Sequence, residues 1–218
     1  MLVAPITYFY PGVKWDPVLA RRTGPVLINP ASGPGTAASL TYVGHVGRCH
    51  AAGVKVLGYV HTKYGARPIA EVKADVDRHF SWYGVDGIFV DTTSNKLADV
   101  GYYADLSEYI RTRGGLVVLN PGTRTIEPYA GLCDWLMNAE TDAVTYRTRV
   151  ASAWEHKYPG KFWHVVHTCA AADMPLMVQL AAERDAGLVC VTDDVMPNPY
   201  DALPSYFTAL YAAVAEAG

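Results

Sequence analysis

Two carboxylates stand where chemistry could be done. Asp91 closes the apolar run Val85-Asp86-Gly87-Ile88-Phe89-Val90-Asp91, and Glu140 closes Cys133-Asp134-Trp135-Leu136-Met137-Asn138-Ala139-Glu140. Such a pair suits glycosidic cleavage, in which one carboxyl group protonates the leaving oxygen and the other attacks or activates water. A separation of ~5 Å would give retention and ~6.5–9.5 Å inversion, and the sequence leaves that choice open. A helix N-cap is the plainer role for Asp91, with Thr92, Thr93 and Ser94 as rivals for it, and Asp142 could exchange roles with Glu140.

The elements that must position this pair repeat along the chain. Strand candidates are 6–10, 25–30, 54–61, 85–91, 116–120, 133–140, 162–167 and 188–193, mostly apolar runs of the kind buried in parallel sheets. Helical patterns fall between them at 40–52, 69–83, 102–111, 176–186 and 204–217, the second marked by Ile69, Val72, Val76, Phe80 and Tyr83. Eight alternating units predict an α/β fold, a single compact (β/α)8 barrel over residues 1–218 with some helices short or missing. An open doubly wound sheet fits less well, because no GxGxxG follows the first strand.

In such a barrel the carboxyl ends of the strands bring Tyr10, Asn29, His61, Asp91, Asn120, Glu140, His167 and Asp193 to one face. With Tyr64 beside them, the non-catalytic members form a substrate-binding set of hydroxyl-compatible donors and acceptors. Tyr10, Tyr59, Tyr64 and Trp163 are candidate stacking or packing aromatics. Acidic Asp193-Asp194 after the last strand would repel a phosphate. Asp86, at the start of its strand, belongs to the stability face.

No cofactor is expected. His164 and His167 alternate to opposite faces, and Cys49, Cys133, Cys169 and Cys190 lack metal-binding spacing, so no metal is expected either. The strand lysine Lys55 has no obvious pocket end, which disfavours Schiff-base chemistry.

Composition narrows the partners. The 218 residues are half hydrophobic and carry a net charge of -3, which gives no electrostatic reason to expect nucleic acid or an anionic membrane. No run is long and apolar enough to span a bilayer. The amino terminus, Met1 to Tyr10, reads as a first strand rather than a signal peptide, so export would need a leader outside this sequence or another route. Fifteen Tyr and five Trp are a surplus that would suit sugar stacking as well as packing. A Tyr-rich surface would equally serve subunit contact, and the oligomeric state is left open.

Several motifs carry a resemblance. Asn29-Pro30-Ala31-Ser32-Gly33-Pro34-Gly35, Gly53 to Thr62 with Tyr64-Gly65, Trp82-Tyr83 before Asp86 to Asp91, Leu119-Asn120-Pro121-Gly122, Thr192-Asp193-Asp194 and Asn198-Pro199-Tyr200-Asp201 resemble the spherulin-4 family over essentially the whole chain. The resemblance implies a (β/α)8 barrel among glycoside hydrolases, including endo-acting enzymes on α-1,4-linked N-acetylgalactosamine or galactosamine polymers of microbial exopolysaccharides. It implies Asp91 as nucleophile and Glu140 as acid/base, and action outside the cell. Thr92 stands where the family commonly has a second acid, which implies the loss of one site carboxylate. That departure supports a rival expectation, a non-catalytic carbohydrate-binding barrel that docks on a surface glycan, for instance on a phage particle.

Overall fold

The computed structural model describes residues 1–217; Gly218, the last residue of the expected domain, lies outside them. The strands are β1 (Leu2–Val3), β2 (Val26–Ile28), β3 (Val56–His61), β4 (Gly87–Asp91), β5 (Leu116–Leu119), β6 (Trp135–Asp142), β7 (Phe162–His167) and β8 (Ala186–Val191). All pair in parallel, in the order β1-β8-β7-β6-β5-β4-β3-β2. The chain is an α/β protein of the (β/α)8 barrel type.

Its helices are α1 (Asp16–Leu19), α2 (Leu40–Ala51), α3 (Ile69–Arg78), α4 (Val100–Arg111), α5 (Ala143–Thr148), α6 (Met174–Glu183) and α7 (Phe207–Glu216). α1 and α5 are short, and β5 is followed only by a 3-10 turn at Glu127–Gly131.

Strands walled in on both sides must be apolar on both faces, and alternation divides them. Leu27, Leu57, Phe89, Val118, Met137, Trp163, Val165 and Leu188, with Ala4 and Ile6, fill the barrel interior. Their neighbours Ile28, Val56, Ile88, Val90, Leu119, Val166 and Val189 pack under the helices. Each large side chain so buried contributes roughly 1.5–3 kcal/mol.

Three expectations are corrected. The segment 6–10 is not a strand: β1 ends at Val3, its ladder to β8 closing with the Ala4 amide on the Val189 carbonyl, and Pro5 has no N–H to continue it. Thr7 closes the open seam instead, its hydroxyl donating to the Leu27 carbonyl (2.8 Å) and accepting from the Leu27 amide (2.9 Å). The last strand begins at Ala186 and ends at Val191, because Asp185 adopts a left-handed conformation (φ 59°) that stops α6 early. The helix expected over 69–83 is α-helical only to Arg78 and continues as a π turn over His79–Tyr83.

Two carboxylates clamp the amino-terminal ends of the strands. Asp86 accepts from the Val56 amide (2.8 Å) and Lys55 Nζ (2.7 Å) and pairs with His50, while Asp134 accepts from the Val117 amide (2.7 Å). Burial opposes ionisation of Asp86, but Lys55, the Val56 N–H and His50 outweigh it and hold its carboxyl below the usual range.

β6 carries the irregularity that matters most. Its register against β7 shifts between Leu136 and Ala139. Trp135 and Met137 face inward, and the extra residue turns Glu140 inward as well, where plain alternation would send it out. Asn138 is buried in the shift. Its Nδ2 donates to Glu155 Oε2 (2.7 Å), so its Oδ1 must accept, from His164 Nε2 at 3.1 Å. His164 Nδ1 then accepts from the Tyr146 hydroxyl (2.6 Å), which fits a ring that burial, with Arg149 and Arg184 nearby, keeps neutral. Glu155 is completed by Arg149 Nη2 (2.6 Å) and the Ser152 amide (2.7 Å).

Asn138→Leu should lower stability by about 2–4 kcal/mol, read by chemical denaturation, since it takes one donor from Glu155 and leaves the buried His164 Nε2–H unpaired. For Asp86 the folded pKa lies below the unfolded one, so its contribution is present at neutral pH and is lost as pH falls through the carboxylate range. The melting temperature of Asp86→Asn should therefore lie below wild type at pH 7, and the gap should close below about pH 4.

Candidate active site

The site begins at the ends of β4 and β6. Asp91 is the last residue of β4, and the bulged β6 delivers Glu140 to the same mouth. Asn120, just past β5, lies between them. Its Nδ2 donates to Asp91 Oδ1 (2.9 Å) and to Glu140 Oε2 (3.0 Å), and its Oδ1 accepts the Gly122 amide (2.7 Å), which fixes the amide's orientation. The two hydrogens of one amide thus reach one oxygen of each carboxylate and bring the pair together. Gly122 has φ 65°, a left-handed backbone that glycine adopts without strain.

A phenol completes each carboxylate. The Tyr59 hydroxyl donates to Asp91 Oδ2 (2.6 Å) and the Tyr200 hydroxyl to Glu140 Oε1 (2.7 Å). Burial and the adjacent carboxylate raise both phenols above their ordinary range, so they stay protonated donors. Tyr59 is itself held by His79, whose Nε2 lies 2.8 Å from the Tyr59 carbonyl, and only a glycine at 58 leaves room for that ring. Tyr8 stands between Tyr59 and Tyr200, edge-on to each at 5.8 and 5.9 Å. Burial, then the charges of Asp91, Tyr59 and Glu140, raise its phenol.

Burial dominates Glu140 and lifts its carboxyl above the usual range, against the lowering effect of the Tyr200 and Asn120 hydrogen bonds. Asp91 adds to the rise and His167 opposes it.

The structure therefore brings Asp91, Glu140 and Asn120 into one hydrogen-bonded unit. His61 and His167 end β3 and β7 at its rim, His61 in register with Asp91 and His167 with Asp142. Burial, with Arg67 and Lys63, lowers the His61 pKa. Tyr64 is 64% exposed and Tyr10 65%, so neither ring is part of the buried unit.

Two of the expected site residues are committed elsewhere. Asn29 Oδ1 accepts the Gly33 amide at 3.0 Å and orders its own loop. Both oxygens of Asp193 are taken by the amide and hydroxyl of Ser205. Asp142 caps α5 through the Thr145 amide (3.0 Å) and hydroxyl (2.7 Å), which removes it as a substitute for Glu140. Trp163 packs inside the barrel, fully buried against Phe89.

Thr92, where the resemblance implies a lost carboxylate, has its hydroxyl tied to the backbone. Thr92 Oγ1 accepts the amides of Thr62 (3.2 Å) and Lys63 (3.0 Å) and donates to the Asp91 carbonyl (2.8 Å), so this side chain points at the β3 loop and not at the carboxylate pair. Thr92, Lys63 and Tyr64 all have left-handed backbones (φ 49°, 51° and 57°), a strain these hydrogen bonds hold in place.

Sequence reasoning missed Tyr8 and Tyr200 and read Tyr59 as a packing or stacking ring. The signal for Tyr200 was present, in Asn198-Pro199-Tyr200-Asp201, but nothing in a sequence says that a loop sixty positions on returns to Glu140. Among the described residues no cluster of three or more His, Cys, Asp or Glu could hold a metal, and all four cysteines are buried free thiols.

Comparison with known proteins agrees with this architecture. The chain is 32% identical to Spherulin-4 of Physarum polycephalum over 98% of its own length and 69% of that protein. In fold it is similar to Aspergillus clavatus Sph3, solved in complex with GalNAc (TM-score 0.85, 23% identity, 98% of this chain and 97% of that one). It is also similar to a chitinase of Chromobacterium violaceum (TM-score 0.64, 10% identity, 100% and 99%). These neighbours share the barrel fold of this chain. The sequence profile of Spherulation-specific family 4 matches residues 3–214, and the chain belongs to that family, the spherulin-4 family.

Proposed function

We propose that this chain is a retaining, endo-acting glycoside hydrolase that cuts an α-1,4-linked polymer of N-acetylgalactosamine or galactosamine. The observation that carries the reading is the pair Asp91 and Glu140, brought together by one bridging amide, and the nucleophile's part that the resemblance implies for Asp91 makes the reaction a retaining one. The family resemblance and the fold shared with a GalNAc-bound protein support the choice of sugar.

In this mechanism Asp91 attacks the anomeric carbon while Glu140, whose pKa burial raises, gives its proton to the departing glycosidic oxygen. A glycosyl ester on Asp91 results. Glu140, now a carboxylate, takes a proton from water, which attacks the same carbon and frees Asp91. Tyr59 and Asn120 hold the Asp91 oxygens in line, and Tyr200 and Asn120 do the same for Glu140. The exposed rings of Tyr10 and Tyr64 offer platforms for further sugars of a long chain, with His61 and His167 as hydroxyl partners. Such a polymer is met outside the cell, so the enzyme acts there, secreted or carried on a particle.

The test is release of oligosaccharides from galactosamine-containing polymers, followed by mass spectrometry. Wild type should yield products, and Asp91→Asn and Glu140→Gln should each cost about 10²–10⁴-fold in rate while retaining sugar binding. Binding without products across the whole panel would make the chain a glycan-docking barrel instead.

Protonated Glu140 is the active form, so kcat/KM should fall as pH rises through its elevated pKa. Tyr200→Phe removes a hydrogen bond that favours the carboxylate and should move that alkaline limb to higher pH.

A further inference from the structure

We propose that Tyr8 is a further substrate contact of this site, its hydroxyl donating a hydrogen bond to the sugar unit that Asp91 attacks. This rests on the hydrolase reading above. The geometry behind it is a circle of side chains at the mouth of the barrel. Asn120 joins Asp91 to Glu140, Tyr59 holds the other oxygen of Asp91, Tyr200 holds that of Glu140, and Tyr8 stands edge-on between the two phenols. Tyr8 follows β1, and Asn120 follows β5. Between those strands lie β8, β7 and β6 on one side and β2, β3 and β4 on the other, so Tyr8 faces the Asn120 bridge across the mouth.

Parity aims the side chain inward. Ile6 and Tyr8 both pack on the cluster that fills the barrel, while Thr7 between them turns to Leu27 at the seam. The interior beneath is closed by Leu27, Phe89 and Trp163, all fully buried, so a side chain entering above them meets solvent only through the mouth.

The rest of the circle is hydrogen-bonded within itself, and Tyr8 is not. Among the described residues its hydroxyl has no partner in the protein, yet, unlike Trp163 Nε1 inside the barrel, it is not sealed from solvent, and the residue is half-buried. Its raised phenol keeps it a protonated donor. The backbone behind it is fixed from both sides: the Tyr8 amide donates to the Tyr200 carbonyl at 3.1 Å, and the Thr7 hydroxyl bonds Leu27 twice. A donor held this way costs little to order when a ligand arrives.

The chemistry selects which sugar it meets. A unit whose anomeric carbon is to reach Asp91 must enter the mouth more deeply than the unit that departs, and it then lies between the acids and the opposite wall. That wall is Tyr8. The hydroxyl and N-acyl carbonyl oxygens of an amino sugar accept from such a donor, and a bond that tightens as the ring distorts toward the transition state speeds the reaction.

The test is Tyr8→Phe, which keeps the ring and its edge-on contacts and removes only the hydroxyl. Two substrates are compared: an amino-sugar oligosaccharide, and a nitrophenyl glycoside with the same sugar units up to the cut. The variant should lose about ten-fold in kcat/KM on both, because both present the same attacked unit. Its melting temperature and the alkaline limb of its pH profile should stay at those of wild type, since the hydroxyl bonds neither the protein nor Glu140. No loss on either substrate, or a loss on the oligosaccharide alone, would overturn the assignment while leaving hydrolysis intact. So would a loss that comes with a lowered melting temperature or a moved alkaline limb, because Tyr8 would then act through the fold or through Glu140. Wild type that cleaves neither compound would instead bring down the hydrolase reading and this assignment with it.

Discussion

One amide nitrogen, Asn120 Nδ2, gives a hydrogen to Asp91 and a hydrogen to Glu140. Two carboxyl groups at the mouth of an apolar barrel would repel each other and lose their hydration, and neither cost is met by the strands that carry them. Asn120 offsets both by supplying donors to facing oxygens, and Tyr59 and Tyr200 supply the outer ones. The polar demand of the two acids is thus met in a single layer at the top of the barrel. Asn120 in turn depends on the Gly122 amide, which selects which end of its side chain faces the acids.

This layer works only if the strands deliver their residues with the correct parity. Asp91 and Tyr59 point inward by ordinary alternation. Glu140 does so through the bulge in β6, and the bulge is secured from outside the barrel by Asn138, Glu155, His164, Tyr146 and Arg149. A buried polar chain of this kind is costly when incomplete and rigid when complete. Its placement directly behind the acid ties the stiffness of the wall to the aim of the catalytic candidate.

The two carboxylates are matched in contacts. Each receives one phenol and one amide hydrogen, and burial leaves Glu140 with a raised pKa. In the proposed mechanism a raised pKa suits Glu140 to the part of the acid.

The sequence by itself determined the architecture and the central residues. Eight apolar runs with helical patterns between them can be satisfied by few folds, because burial on both faces demands strands of that composition, and the strand-end rule then selects Asp91, Asn120 and Glu140. Local rules failed where the chain departs from them. Pro5 ended β1 early, and Thr7 rather than a ladder closed the seam. Only the tertiary structure decided that Thr92 turns to the β3 loop, that Asn29 and Asp193 serve their own loops, and that Tyr8, Tyr59 and Tyr200 gather around the acids. Those outcomes depend on which donor lies within about 3 Å of which acceptor after the barrel has closed. Periodicity carries no record of contacts between residues 60 positions apart, such as Tyr200 and Glu140.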